Sequence, residues 1–381
     1  MKKLFWLGLI GLLFFEIANI YFIMPMPGSQ QMNSIDLAYF LYSWRWAFRI
    51  LFGLMIVIGL FRAKWHRKWR WLLILPLAIL AILLYMANFN MAADAMFKQP
   101  KDFRLVSSDK NEVDSNRLVI GVIINGEAKA YPIRFLGYHH HVQDTIGGKP
   151  IIITYCTVCR TGRVFEPIVN GKRETFRLVG MDHFNAMLED ATTGSWWRQV
   201  TGEAIAGKLK GQFLPEVYST QTSLKEWLKL NPNSLIMQAD SAFIESYSKD
   251  TKYEAGKRKD NLTGTDSLSW KDKSWVVGVK VGNERKAYDW NQLKTDRIIQ
   301  DKINTTPILL IVTKDTTGFF AFERPSEDAR FSLNNDTLLF NNYHFRVDGK
   351  GIDTAYSLKS LPAYQEFWHS WRTFNPSTAK Y

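Results

Sequence analysis

The chain has two cysteines, Cys156 and Cys159, spaced Cys-Thr-Val-Cys. Two thiols at that spacing can cycle between dithiol and disulfide. They follow Ile151 to Tyr155, an apolar run that reads as a buried strand. Arg160 and Arg163 come next, and His139, His140 and His141 precede the strand by about one hairpin. Neighbouring cations favour thiolate and lower a cysteine pKa. One reading is therefore a redox pair with Cys156 as the more reactive thiol, modulated by Arg160, Arg163 and His139. That reading needs no cofactor and makes a thiol–disulfide oxidoreductase the enzyme class. Two other readings stay open. Cys156 and Cys159 with His139 or His183 would form a metal site, where thiolates favour zinc or Cu(I). Alternatively, a static disulfide braces the loop.

The neighbouring segments constrain the geometry. Arg160-Thr-Gly-Arg-Val-Phe-Glu166 reads as turn and strand, so no thioredoxin-like helix lowers the thiol pKa. If the histidine run is extended, His139 and His141 share a face, and at least one of the three is incidental. His183 lies in Gly180-Met-Asp-His-Phe-Asn185, ahead of Gly194-Ser-Trp-Trp-Arg-Gln199. One reading makes this stretch a pocket wall beside the cysteines, with Trp196 or Trp197 as lining; the other, commoner for Trp, is ordinary core packing.

The elements that position the cysteines recur. Val119 to Tyr131 aligns with Val276 to Tyr288 at an offset of 157, and the register continues through Asp144/Asp301, Pro150/Pro307 and Phe165-Glu166/Phe322-Glu323. In the second unit, Thr313 and Thr316 stand where the first has cysteines. A loop that closes without cysteine does not need thiols as scaffold. Each unit reads mainly as strands, with a hairpin at Asn125-Gly126 and short helices near Ser223–Leu230 and Ala363–Phe374. The fold class expected is mainly β with short helices (α+β). A tandem-duplicated soluble domain is preceded by three transmembrane helices. The boundaries read as 1–96 for the anchor, 97–245 for the first unit, 246–273 for a polar linker and 274–381 for the second unit.

Three apolar runs, Leu4–Met24, Tyr39–Phe61 and Trp71–Phe89, each approach the roughly 20 residues a bilayer core requires. The first is too long for an ordinary signal peptide and lacks a cleavage site, so it reads as a retained anchor. The loop from Arg62 to Arg70 is strongly basic, whereas Pro25 to Ile35 has no Lys or Arg. The basic loop should stay in the cytoplasm. The N-terminus is then inside, and the C-terminal domain is periplasmic or extracellular on a bacterial inner membrane. Arg45 and Arg49 are expected to snorkel to the outer interface, with a pair to Glu16 as the alternative.

The net charge of +12 has the same origin in part. Residues 1–96 carry +6, and five of their nine cations sit in the one basic loop. No basic stripe, nucleotide loop, nucleophile elbow or zincin helix occurs. The partners expected are the lipid bilayer and a thiol or disulfide partner protein, not nucleic acid.

The run Asp144-Thr-Ile-Gly-Gly-Lys-Pro-Ile-Ile-Ile-Thr-Tyr-Cys-Thr-Val-Cys159, with Gly194-Ser-Trp-Trp-Arg-Gln199 and Thr201-Gly-Glu-Ala204, resembles the bacterial family DUF3179 from about residue 105 onward. That family typically shows Thr-Tyr-Cys-Pro-Leu-Cys-Gly, from which this chain departs at Thr157, Val158 and Arg160. The family has no established activity. Some members are described as selenoproteins, which implies redox chemistry at the motif.

Overall fold

The computed structural model describes residues 1–66, 71–248 and 251–381. About a third of the chain is strand and 31% is helix, so the architecture is mixed α and β rather than mainly β. The chain forms two compact units. One comprises Met1–Lys98, Glu174–Arg198 and Glu203–Phe213, and the other Gln99–Arg173, Gln199–Gly202 and Leu214–Tyr381.

In the first unit, Lys2–Tyr21 and Trp71–Asn90 are long and apolar enough to cross a membrane. The middle run differs from expectation. It breaks at Trp44 into Ile35–Ser43 and Arg45–Arg62, bent by 58°. The cause lies in what Ile35–Ser43 covers. Ala38, Tyr39 and Tyr42 pack with Ile23 against Val179, Trp196 and Ile205 of a four-stranded sheet. That sheet runs in the order 204–206, 196–198, 185–190, 176–182. Trp196 lies edge-on to Tyr39 at 5.0 Å and tilted to Tyr42 at 5.2 Å. At Gly180 a β-carbon would sit 2.5 Å from the Ile23 carbonyl, so glycine lets the strand approach the end of the first helix. The Trp196 segment thus belongs to the same compact unit as the N-terminal helices.

The N-terminal helices approach closely where side chains vanish. A β-carbon on Gly59 would meet the Phe5 backbone at 2.5 Å, the close contact that small residues permit between membrane helices. Glu16 accepts from Arg49 Nε at 2.6 Å, and Asn88, in the wide helical turn Met86–Asn90, accepts from the same guanidinium at 2.6 Å. Arg49 is therefore paired rather than snorkelling. Arg45 does turn aside, stacking on the Tyr42 ring at 3.8 Å. Of the basic loop, residues 67–70 lie outside the described residues.

In the second unit one element order occurs twice. Hairpin Leu118–Ile124/Glu127–Pro132, helix Ile133–His139 and strands His141–Ile146, Lys149–Cys156 and Thr161–Phe165 come first. Hairpin Trp275–Val281/Glu284–Asp289, helix Trp290–Asp296 and strands Ile298–Ile303, Thr306–Val312 and Phe319–Glu323 follow. Matched contacts hold both sets. Tyr131 and Tyr288 donate to Asp144 and Asp301 at 2.7 and 2.8 Å. Gly121 and Gly278 lie under the rings of Trp227 and Trp371, where a β-carbon would come within 2.2 Å. Each set has its own core, around Tyr155 and Val164 in one and Leu310 and Ala321 in the other. The helix Leu224–Leu230 is capped by the Ser223 hydroxyl, and Trp368–Phe374 is its later counterpart.

Candidate functional site

Cys156 ends the strand Lys149–Cys156, whose residues from Ile151 onward are all buried. Cys156 pairs with Thr161 across the next strand, so the loop 157–160 is a tight turn. Both cysteines are free thiols with 0% exposure, 4.1 Å apart. The turn is closed by Arg160 in the left-handed region at φ 57°. This is the position where the family motif carries glycine. Such a backbone costs a side chain of order 1 kcal/mol or more.

Arg160 is held there by contacts away from the sulfurs. Its guanidinium lies 3.5 Å from the Trp275 ring centroid. Its Nε donates to Gln365 Oε1 at 3.2 Å, and its other nitrogens donate to the Tyr253 and Glu254 carbonyls. Arg163 is also buried and forms an ion pair with Glu366 while stacking on Tyr364 at 3.6 Å. Glu366 then accepts from Ser370 Oγ at 2.9 Å, and Ser370 hydrogen-bonds the Cys159 thiol. Arg163 thus reaches the Cys159 sulfur only through Glu366 and Ser370, three contacts away.

The cation that acts on Cys159 is Lys273, from the segment read as a linker. Its ammonium donates to the Val158 carbonyl at 2.8 Å and to the Leu262 carbonyl, and lies 3.2 Å from His369 Nε2. Tyr253, from the same segment, donates to the Thr157 carbonyl at 2.9 Å. Phe367 N–H donates to the Cys159 carbonyl at 3.0 Å. The loop is thereby clamped by residues from beyond position 250.

These surroundings reverse the expected electrostatics. Burial pushes the Cys159 thiol well up, and the adjacent Cys156 adds to that; Ser370 and Lys273 only oppose it in part. Burial also lowers Lys273, although both cysteines counter it. His369, half-buried and next to Lys273, is lowered by desolvation to about 4 and stays neutral. At neutral pH the favoured form of Cys159 is the protonated thiol, not the activated thiolate read from the basic neighbours.

The histidines are placed otherwise than expected. His139 ends a helix, His140 is left-handed at φ 63° and His141 begins a strand, so no extended face is shared. His139 Nε2 lies 2.6 Å from the Tyr247 hydroxyl, and its ring packs on Phe243. Burial lowers His140 to about 4. His141 Nδ1 lies 3.3 Å from the Gln99 amide. His183 belongs to the other compact unit and pairs with Asp182 at 2.8 Å. Among the described residues no three His, Cys, Asp or Glu side chains are grouped to hold a metal ion. The proposed set of Cys156, Cys159, His139 and His183 is thus not assembled.

Sequence reasoning missed Lys273, Ser370, His369, Glu366 and Tyr253. One signal was available for Glu366: Gln365-Glu-Phe-Trp368 places two polar residues inside an aromatic strand end, and buried polar residues need partners.

An apolar helical N-terminus followed by a twice-occurring hairpin–helix–meander that carries one buried dithiol defines the class to which the chain is assigned. The chain belongs to the DUF3179 family, described as a protein of unknown function, whose model matches residues 98–378. No curated protein and no solved structure matches the chain.

Proposed function

We propose that this is a membrane-anchored, extracytoplasmic thiol–disulfide protein whose reactive pair is Cys156 and Cys159. The observation that carries the reading is the proximity of the two sulfur-bearing residues, 4.1 Å apart, in a loop that its counterpart closes without sulfur. There, the Thr313 hydroxyl donates to Asp315 and accepts from Gly318 N–H. In the proposed reaction the Cys156 thiolate attacks one sulfur of a partner disulfide and expels the other as a thiol. Cys159 then attacks Cys156, releasing the second partner thiol. Two electrons and two protons pass from the pair to the partner. Because both thiols are buried, reaction requires the clamp formed by Lys273 and Tyr253 to open.

The two occurrences of the element order are read as a tandem duplication in which the first unit kept the chemistry. The matched Tyr–Asp bonds and Gly–Trp contacts support it. Three spans, with Ile35–Ser43 and Arg45–Arg62 as one bent span, and an inside N-terminus agree with the basic loop.

Complete burial favours a second reading, a static disulfide that braces the loop. Thiol trapping across a redox series separates the two. A pair that reduces above about −300 mV, with a Cys159→Ser variant that captures a mixed disulfide, supports the reactive role. A pair still oxidised below that potential, with no captured partner, assigns the structural one.

A further inference from the structure

Beside Arg160 lies a cavity of about 370 Å³, lined by residues of the second compact unit. That is the size range of small-molecule sites, roughly 300–1,000 Å³. Two of its lining residues each hold a buried polar atom without a partner, Glu254 Oε1 and Gln365 Nε2. The Glu254 side chain is 8% exposed and Gln365 is 3% exposed. Buried polar groups without partners are rare in folded proteins, and two on the wall of one cavity are suited to hold a polar ligand there.

The orientation of the Gln365 amide is fixed. Its Oε1 accepts from Arg160 Nε at 3.2 Å and from Gln221 Nε2 at 2.9 Å. Two donors on that atom identify it as oxygen, so the unpartnered atom is the NH2 donor. Glu254 is the opposite case. Its Oε2 accepts from Leu118 N–H at 3.3 Å and faces Arg117 at 3.8 Å, which leaves Oε1 as a vacant acceptor. A ligand seated against Gln365 and Glu254 thus meets one unused donor and one unused acceptor, both desolvated.

The remaining lining sets the ligand class. Lys294 is exposed on the cavity and has no carboxylate partner among the described residues, and Arg117 adds a second cation. Trp275 and the buried Trp290 supply apolar wall. Burial raises the Glu254 carboxyl, and Arg117 and Arg160 oppose that shift; a ligand ammonium at Oε1 opposes it in the same sense.

We infer that this cavity binds a free α-amino acid with an apolar side chain: its ammonium donates to Glu254 Oε1, its carboxylate accepts from Gln365 Nε2 and Lys294, and its side chain packs on Trp275 and Trp290. The site goes beyond the thiol reading and does not depend on it.

The test is calorimetric titration of the full chain in lipid nanodiscs with L-phenylalanine, 3-phenylpropionate and phenethylamine. L-Phenylalanine is expected to bind at least tenfold more tightly than either analogue, each of which lacks one charged group. Glu254→Gln should weaken L-phenylalanine at least tenfold and leave 3-phenylpropionate unchanged. Lys294→Met, at an exposed position where folding is not at stake, should weaken L-phenylalanine and leave phenethylamine unchanged. A Cys156→Ser/Cys159→Ser variant should bind as the parent does. No binding of L-phenylalanine, equal binding of all three compounds, or unaltered binding in the Lys294 variant overturns the proposal.

Discussion

The Lys273 ammonium donates to the Val158 carbonyl at 2.8 Å, tying the middle of the Cys-Thr-Val-Cys turn to a segment more than a hundred residues later. The same ammonium holds the Leu262 carbonyl, so one side chain joins the turn to its cover. A charge-assisted hydrogen bond contributes about 1.5–3 kcal/mol. Lys273→Met should therefore raise amide exchange in residues 260–273 by roughly tenfold or more, since each 1.4 kcal/mol is a factor of ten. Unchanged protection of those amides would show that Lys273 is not the clasp.

The reduced protein should lose stability in alkali. The folded Cys159 pKa is raised above its unfolded value of about 8.5. The stabilising contribution of the neutral thiol is then complete below about 8.5 and lost as pH rises toward the folded value. Thermal melts of the reduced parent should fall more steeply above pH 8.5 than those of Cys159→Ala. Parallel curves for the two proteins would contradict the burial of an uncharged thiol.

His369 predicts the acid limb. Its folded pKa of about 4 lies below the unfolded value of about 6.5. The unfolded chain binds the extra proton between those values, so stability present above 6.5 is lost as pH falls toward 4. The full difference is on the order of 3 kcal/mol. His369→Gln should flatten the melting temperature over that window, and an undiminished slope would assign the acid sensitivity elsewhere, such as His140.

Arg163 and Glu366 form a buried pair, with side chains 1% and 0% exposed. Removing one partner of such a pair leaves a buried charge and costs about 3–5 kcal/mol. Glu366→Gln should reduce the denaturation midpoint accordingly and also loosen Ser370, which should speed alkylation of Cys159. If stability falls but alkylation does not change, the Arg163–Glu366–Ser370 connection is structural only.

Among the N-terminal helices, Glu16→Leu should strand Arg49 and lower the yield of folded protein in lipid, whereas Glu16→Leu with Arg49→Leu should recover much of it. Equal loss in the single and double variants would mean that the polar cluster with Asn88 acts as more than a neutralised pair.

The sequence made some of this legible and hid the rest for physical reasons. The hairpins and cysteine strand follow from alternation and turn chemistry, which are local. The apolar runs were legible as well. The break at Trp44 was not, because it depends on Tyr39 and Tyr42 meeting Trp196, a contact with no local signature. Arg160 and Arg163 looked like activators because they are adjacent in sequence. Their guanidinium groups are instead taken up by Trp275 and Glu366, and the effective cation is Lys273. Adjacency along a chain gives no direction to a side chain, and long-range partners outcompete it. The histidine triplet misled through the same limit: a helix end at His139 and a left-handed His140 interrupt the alternation that a continuous strand would have had.

The seating of Ile23 against Gly180 and of Tyr39 against Trp196 bears on how this chain is handled at the bench. A fragment starting at Lys98 retains the strands of residues 174–213 but strips away the N-terminal residues that shelter them. Val179, Trp196 and Ile205 would then face water as one sticky patch. Work on the C-terminal portion is best served by keeping its hydrophobic leader attached and supplying lipid, because the tail end of the first helix is a structural part of that portion's own sheet.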